Sequence, residues 1–168
     1  MKRSLHTTLS TVLWSALLLA TTGCGAAQST EQPSGRELLQ KYAGSDDTDA
    51  LLNEPPVRHA LRRLLGDELP HLELNLNVRG SVDLISGTLS LSGNAPHQGT
   101  EEEAVVCISG YNLEVSAAIF SKGNVTVYSR VPQYDYLPLC IKDWITLVNS
   151  SHQDRMTAPG NVRMAPSR

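Results

Sequence analysis

The sequence predicts an α+β fold, in which an antiparallel meander sheet of about five strands is packed against N-terminal helices and one C-terminal helix. Three observations carry this prediction. Apolar residues recur at helical spacing over residues 57–65, and again over residues 137–148. Between them, residues 73–128 hold short apolar or alternating runs that are separated by turn-forming residues. A run of helices, a run of strands and a last helix are typical of an α+β domain.

The predicted helices have recognisable ends. Residues 37–43 form a short helix candidate that Gly44 would end. Pro55 and Pro56 suit the first turn of the next helix, because a proline there loses no helical hydrogen bond. Its last apolar positions are followed by Gly66, a typical stop.

The strand predictions rest on alternation and on turns. Residues 104–108 are continuously apolar, which favours a central strand, and turns at residues 109–112 and 121–124 predict two hairpins in series. His71, which follows Pro70, is interpreted as a loop residue between the last helix and the first strand. The five segments predicted as strands are residues 73–79, 88–92, 104–108, 113–120 and 125–128.

Composition and motifs argue against two functional classes. The 168 residues carry a net charge of −3, whereas a nucleic-acid-binding domain normally has a basic face. The sequence contains no G-x-S-x-G motif, no phosphate-binding glycine loop, no C-x-x-C and no H-E-x-x-H. We therefore expect neither an enzyme nor a cofactor or metal site.

The N-terminus predicts export. Lys2 and Arg3 precede a short apolar run at residues 12–20, about half of what a membrane span needs, so residues 1–23 are interpreted as a signal peptide. Residues 19–24 resemble the lipobox of bacterial lipoproteins, which implies lipidation of Cys24 and anchoring to the periplasmic face of the outer membrane. Thr21 stands where that motif usually has an aliphatic residue, so a soluble periplasmic form is the alternative.

The mature chain is divided by composition. Residues 24–35 are small and polar, as expected of a flexible tether, residues 36–149 form the α+β domain, and residues 150–168 are predicted to be a disordered tail. Removal of residues 1–23 takes away two positive charges and leaves a net charge near −5. Cys107 and Cys140 lie in hydrophobic runs; they are interpreted as buried core residues, with a disulfide as the open alternative.

One loop is a candidate for recognition. His97 lies between two predicted strands, with Pro96 fixing a backbone angle beside it and glutamates at residues 101–103 after it. Two interpretations are open: an exposed hairpin loop without a role, or a binding loop held by a rigid scaffold. The candidate partner-binding residues are Asn94, Ala95, Pro96, His97, Gln98 and Gly99.

This loop and its surroundings resemble the inhibitors of vertebrate lysozyme (Ivy-like family) over residues 56–121. Residues 94–99 stand in the place of that family's Cys-Lys-Pro-His-Asp-Cys loop, while residues 60–66 and 103–109 are similar to its early helix and next strand. The resemblance implies that His97 enters the cleft of a basic lysozyme, or of a related peptidoglycan-cleaving enzyme, and bonds to its catalytic carboxylates. Asn94 and Gly99 replace the family's two loop cysteines. A structural or accessory envelope lipoprotein without inhibitory activity is the alternative function.

Overall fold

The computed structural model describes residues 32–151 and 160–166. The predicted signal peptide, Cys24 and residues 24–31 of the tether lie outside the described residues. Helices come first in the chain: α1 (Gly35–Tyr42), α2 (Thr48–Asn53), α3 (Pro55–Leu65) and α4 (Leu69–Asn75). They are followed by strands β1 (Val78–Arg79), β2 (Asp83–Ile85), β3 (Thr88–Asn94), β4 (Glu102–Ser109), β5 (Val115–Ser121) and β6 (Asn124–Tyr128), by helix α5 (Leu139–Ser151) and by strand β7 (Val162–Met164). Within the described ranges, no helix is long and apolar enough to cross a membrane.

Side chains at the helix ends explain where the first three helices begin. Ser34 and Glu37 form a reciprocal capping box at the start of α1. The Asp47 carboxylate accepts a hydrogen bond from the Ala50 N–H at the start of α2, at 3.3 Å. Helix α3 begins with proline and ends at Gly66, whose φ of 55° few other residues adopt readily. The helices predicted from the sequence before residue 66 are therefore confirmed.

The strand predicted at residues 73–79 is wrong over most of its length. Residues up to Asn75 belong to α4, and only Val78–Arg79 is a strand. Leu74 and Val78, two of the three apolar residues in the alternating pattern, are each 51% exposed. The burial follows a helical period instead, because the side chains that face the core are those of Leu69, Leu72 and Leu76.

The sheet is larger than predicted and is mixed. It has seven strands in the described part of the chain, in the order β1-β3-β4-β5-β6-β7, with β2 also paired to β3. The two predicted hairpins are antiparallel: Val106 of β4 pairs with Ala117 of β5, and Ala118 of β5 pairs with Val127 of β6. Among the described strands, only the pairing of β6 with β7 is parallel. The prediction of about five antiparallel strands is therefore corrected, while the α+β class is confirmed.

Strand β7 lies in the segment that was predicted to be a disordered tail. It is paired with β6 in the register Val125 to Val162. Asn161, at its start, exchanges side-chain hydrogen bonds of 2.7 and 3.1 Å with Asn149 of α5, and both side chains are buried. The Asn161 amide also donates to the Gly123 carbonyl at 3.1 Å. Asn161, which lies in the segment predicted as a tail, thus holds the last strand in place.

The sheet is covered on both faces. Helices α1–α4 pack on one face, over the inward side chains of β3, β4 and β5, and α5 packs on the other. Cys107 of β4 and Cys140 of α5 are joined by a disulfide, with their Cα atoms 6.4 Å apart and both residues at most 2% exposed. The preferred interpretation of two unpaired core cysteines is therefore wrong, although both are buried. The bond ties α5 to the middle of the sheet.

Candidate recognition loop

The loop between β3 and β4, residues 95–101, is closed by backbone hydrogen bonds at its base; we call it the histidine loop. The Ala95 N–H donates to the Glu102 carbonyl at 2.9 Å, and the Glu102 N–H donates to the Gln98 carbonyl at 3.0 Å. The Gln98 N–H donates in turn to the Ala95 carbonyl at 3.1 Å. Three bonds over so short a segment leave the loop a tightly turned extension of the β3–β4 hairpin.

His97 lies at the exposed turn of this loop. Its φ is 62°, in the left-handed region, which histidine tolerates better than most residues. The imidazole makes no hydrogen bond or ion pair with any residue in the described ranges. Thr100 also has a positive φ, 74°, which is unusual for a β-branched residue. Its N–H donates to the Glu103 carboxylate at 3.1 Å, which helps to hold this conformation. Strained backbone of this kind is often found at binding sites.

Asn94 and Gly99 face each other across the base of the histidine loop. A Cβ atom built on Gly99 would lie 3.7 Å from Nδ2 and 3.8 Å from Cγ of Asn94. The same Asn94 Nδ2 donates to the Ala95 carbonyl at 2.9 Å. The two positions are therefore close enough for cross-linked side chains, but here the contact is made by an amide and a glycine.

A polar cluster lies beneath the loop, where β4 begins. The Glu102 carboxylate accepts hydrogen bonds through Oε2 from His71 Nε2 at 2.9 Å and from Asn75 Nδ2 at 3.2 Å, and through Oε1 from Ser121 Oγ at 2.5 Å. Its side chain is only 18% exposed. His71, predicted to be a loop residue, belongs instead to α4. We name Glu102, His71, Asn75 and Ser121 the Glu102 cluster.

A comparison with protein families fits this arrangement. The family model described as inhibitor of vertebrate lysozyme (Ivy) matches residues 56–150, more than half of the chain. The chain belongs to the Ivy family. The match includes all but the first residue of α3, the histidine loop, the central strands and all but the last residue of α5. Searches of curated proteins and of solved structures gave no match.

In this Ivy-family chain, the Glu102 carboxylate is stabilised in its charged form. Burial alone would raise its pKa, but the hydrogen bonds from Ser121, His71 and Asn75 outweigh that effect, and the pKa is lowered from its ordinary value. Because an ionised carboxylate can only accept hydrogen bonds, the His71 Nε2 atom must carry the proton that it shares. The cluster is therefore a charged acceptor with three donors.

Two hollows adjoin the Ivy-family histidine loop. One, of about 420 Å³, is bordered by Gln98, Thr100, Glu101 and Lys122. The other, of about 340 Å³, reaches the loop base at Asn94, and its lining includes apolar residues. Those apolar residues include Val78 and Leu147, which are 51% and 63% exposed. The loop thus has recessed surface on which the body of a protein partner could rest.

The structure separates the six candidate residues by exposure. His97, Gln98 and Gly99 are exposed, Pro96 and Asn94 are half-buried, and Ala95 is 2% exposed. Ala95 therefore supports the loop from within. The residues of the Glu102 cluster were missed in the sequence because they lie far apart in it, up to 50 positions. Within the described residues, no group of three or more His, Cys, Asp or Glu side chains is arranged to hold a metal ion.

Proposed function

We propose that the protein is an envelope inhibitor that binds a lysozyme-like, peptidoglycan-cleaving enzyme by placing His97 in the enzyme's cleft. The observation that carries this proposal is the exposed imidazole at the turn of a closely hydrogen-bonded loop, in a chain of the Ivy family; among the described residues the imidazole has no hydrogen-bond or ion-pair partner. A protruding side chain with no internal partner has no contact to break before it binds, and a loop that is already ordered loses less entropy on binding.

The chemistry of the imidazole suits the acidic groups of a glycoside-cleaving site. Such enzymes use a pair of carboxyl groups at the scissile bond. A histidine N–H can donate a hydrogen bond to either carboxylate, and a bond to a charged partner contributes roughly 1.5–3 kcal/mol. An imidazole seated there would block the substrate and occupy the catalytic groups together.

The charge of the chain favours the same partner. Without residues 1–23, its net charge is near −5, and Glu101 is exposed at the end of the histidine loop. A negative surface accelerates association with a basic enzyme, and salt weakens this effect. We therefore expect faster association at low ionic strength.

The site of action would be the cell envelope. The predicted signal peptide and lipidation at Cys24 would anchor the protein to the periplasmic face of the outer membrane, with a soluble periplasmic form if Cys24 carries no lipid. Mass spectrometry of the N-terminal peptide from the native host distinguishes the two forms. In either form the loop would meet enzymes that reach the peptidoglycan.

The test is inhibition of a vertebrate lysozyme acting on a cell-wall suspension. The wild-type protein should inhibit, and His97→Ala should weaken inhibition by about 10- to 150-fold, the equivalent of one hydrogen bond to a charged group. His59→Ala is the matched control, because His59 is also exposed but lies on α3. Equal inhibition by wild type and His97→Ala would refute the proposal.

The replacement of the family's loop cysteines by Asn94 and Gly99 favours one alternative. A chain that has lost the covalent closure of its loop could have kept the fold and become a structural or accessory envelope protein. If the wild-type protein neither binds nor inhibits lysozyme, that alternative is the better account.

A further inference from the structure

Glu102 connects the histidine loop to two further elements of the fold. Glu102 is the first residue of β4, and its backbone N–H and carbonyl make two of the bonds that close the loop. Its side chain is fixed at the same time to α4 and to β5. Any movement of Glu102 would be passed directly to the loop.

We propose that Glu102 is a positioning residue, whose carboxylate holds the histidine loop in its binding shape by hydrogen bonds to α4 and β5. This inference rests on the proposed function for its consequence on inhibition, but its effect on loop order can be measured without any partner. In this chain the hydrogen bonds of the Glu102 cluster would restrict the shape of the loop, as a disulfide between positions 94 and 99 would.

The geometry of the carboxylate supports a holding role. Oε1 is bonded to Ser121, and Oε2 to both His71 and Asn75, so rotation of the side chain would break bonds on both sides. Hydrogen bonds to a charged acceptor are shorter and stronger than those between neutral groups. The lowered pKa of Glu102 agrees with this, because it shows that the donors stabilise the charge more than burial opposes it.

The most buried donor strengthens the link to the loop's base. Asn75 is fully buried, and its Nδ2 atom donates to Glu102 Oε2 and also to the Glu103 carbonyl, at 3.3 Å. Its Oδ1 atom is buried without a hydrogen-bond partner among the described residues. An unsatisfied buried oxygen is unfavourable. The amide keeps this orientation because its two bonds to the start of β4 hold it.

Glu101 offers a matched control. It is the preceding residue and carries the same charge, but its side chain is exposed and makes no hydrogen bond to the described residues. Substitution of Glu101 removes one negative charge beside the loop and leaves the cluster intact. A difference between Glu101→Ala and Glu102→Ala therefore reports the hydrogen bonds, because the change in charge is common to both.

The first experiment measures amide hydrogen exchange in the free protein. In Glu102→Ala, the amides of Ala95, Gln98 and residue 102 should exchange at least about tenfold faster than in wild type and in Glu101→Ala, while the amide of Val106, in the middle of β4, stays protected. Glu102→Gln, which keeps the side-chain shape and replaces one acceptor oxygen by a donor, should show a smaller change in the same direction. Glu102→Gln also allows the exchange measurement if the alanine variant does not fold. Loop exchange equal to wild type in the folded variants would overturn the inference.

The second experiment tests rescue by a covalent closure. Glu102→Ala should weaken lysozyme inhibition by about tenfold or more, and adding Asn94→Cys and Gly99→Cys, with the disulfide verified, should restore it to within about threefold of wild type. Damage elsewhere in the fold would not be repaired by this bridge, so failure of the rescue would overturn the positioning role. If wild type itself does not inhibit, the proposed function fails, and the exchange experiment alone decides the role of Glu102.

Discussion

The disulfide between Cys107 and Cys140 should contribute a large share of the stability of this domain. It closes a loop with a sequence separation of 33 residues, for which the loss of chain entropy in the unfolded state amounts to about 3.7 kcal/mol. Folded domains are stable by only about 5–15 kcal/mol. The double variant Cys107→Ala/Cys140→Ala should therefore lose about 3.7 kcal/mol together with the packing of two buried sulfur atoms, and its Tm should fall by on the order of 10 °C.

Urea unfolding followed by tryptophan fluorescence measures this loss. Trp144 is the one tryptophan after residue 23, and it lies on α5, the helix that the disulfide holds. Cys107→Ala alone should show most of the loss seen in the double variant, and adding Cys140→Ala should cost little more, because the first change already breaks the bond. A reducing agent should lower the wild-type midpoint and leave the double variant unchanged. A wild-type midpoint that does not respond to reductant, with additive single losses, would refute the reasoning.

Three further outcomes are expected. The folded-state pKa of Glu102 lies below the ordinary value of 4.5, so its contribution to stability is present above that pH and is lost as the pH falls through the folded-state pKa. Between about pH 5 and pH 3, wild type should therefore lose more free energy of unfolding than Glu102→Gln, as measured by urea titration. Asn161→Ala removes a buried amide and leaves the Asn149 side chain unpaired, and should cost about 1–3 kcal/mol in the same assay; an unchanged midpoint would show that β7 is not held by this pair. Gly93→Ala places a Cβ atom 2.6 Å from the Val78 carbonyl, so it should destabilise the domain by about 1–3 kcal/mol, with β1 exchanging its amides faster than β5.

Much of the fold could be predicted because local patterns and tertiary burial agree. The continuous apolar run at residues 104–108 is the buried centre of β4, and the helical spacing from Leu137 onward matches the buried face of α5. Where the local sequence pattern and the tertiary burial disagree, the prediction is wrong. Leu76 fits both the alternating pattern of a strand and the helical series Leu69, Leu72 and Leu76, and only the packing of α4 against the sheet selects the helix.

The parts that could not be predicted depend on contacts between distant residues. His71 and Glu102 are 31 positions apart, and neither shows in its local sequence that it has a partner. Strand β7 is three residues long and gains its place from pairing with β6 and from Asn161. For Cys107, a hydrophobic run favours burial and does not distinguish a free thiol from a bonded one. The loop of the candidate site could be located from the sequence. The Glu102 cluster that supports the loop could be found only in the structure.

Strand β7 covers a side of β6 that would otherwise be an open edge of the sheet. The family match ends at residue 150, whereas β7 covers the outer side of β6 in the described sheet. A chain cut after Ser151 would leave the N–H and C=O groups of β6 open to a strand from another molecule, which is a common route to aggregation. Strand β7 therefore shields the edge of β6, and a chain shortened to the limits of the family match is expected to aggregate more readily than the full chain.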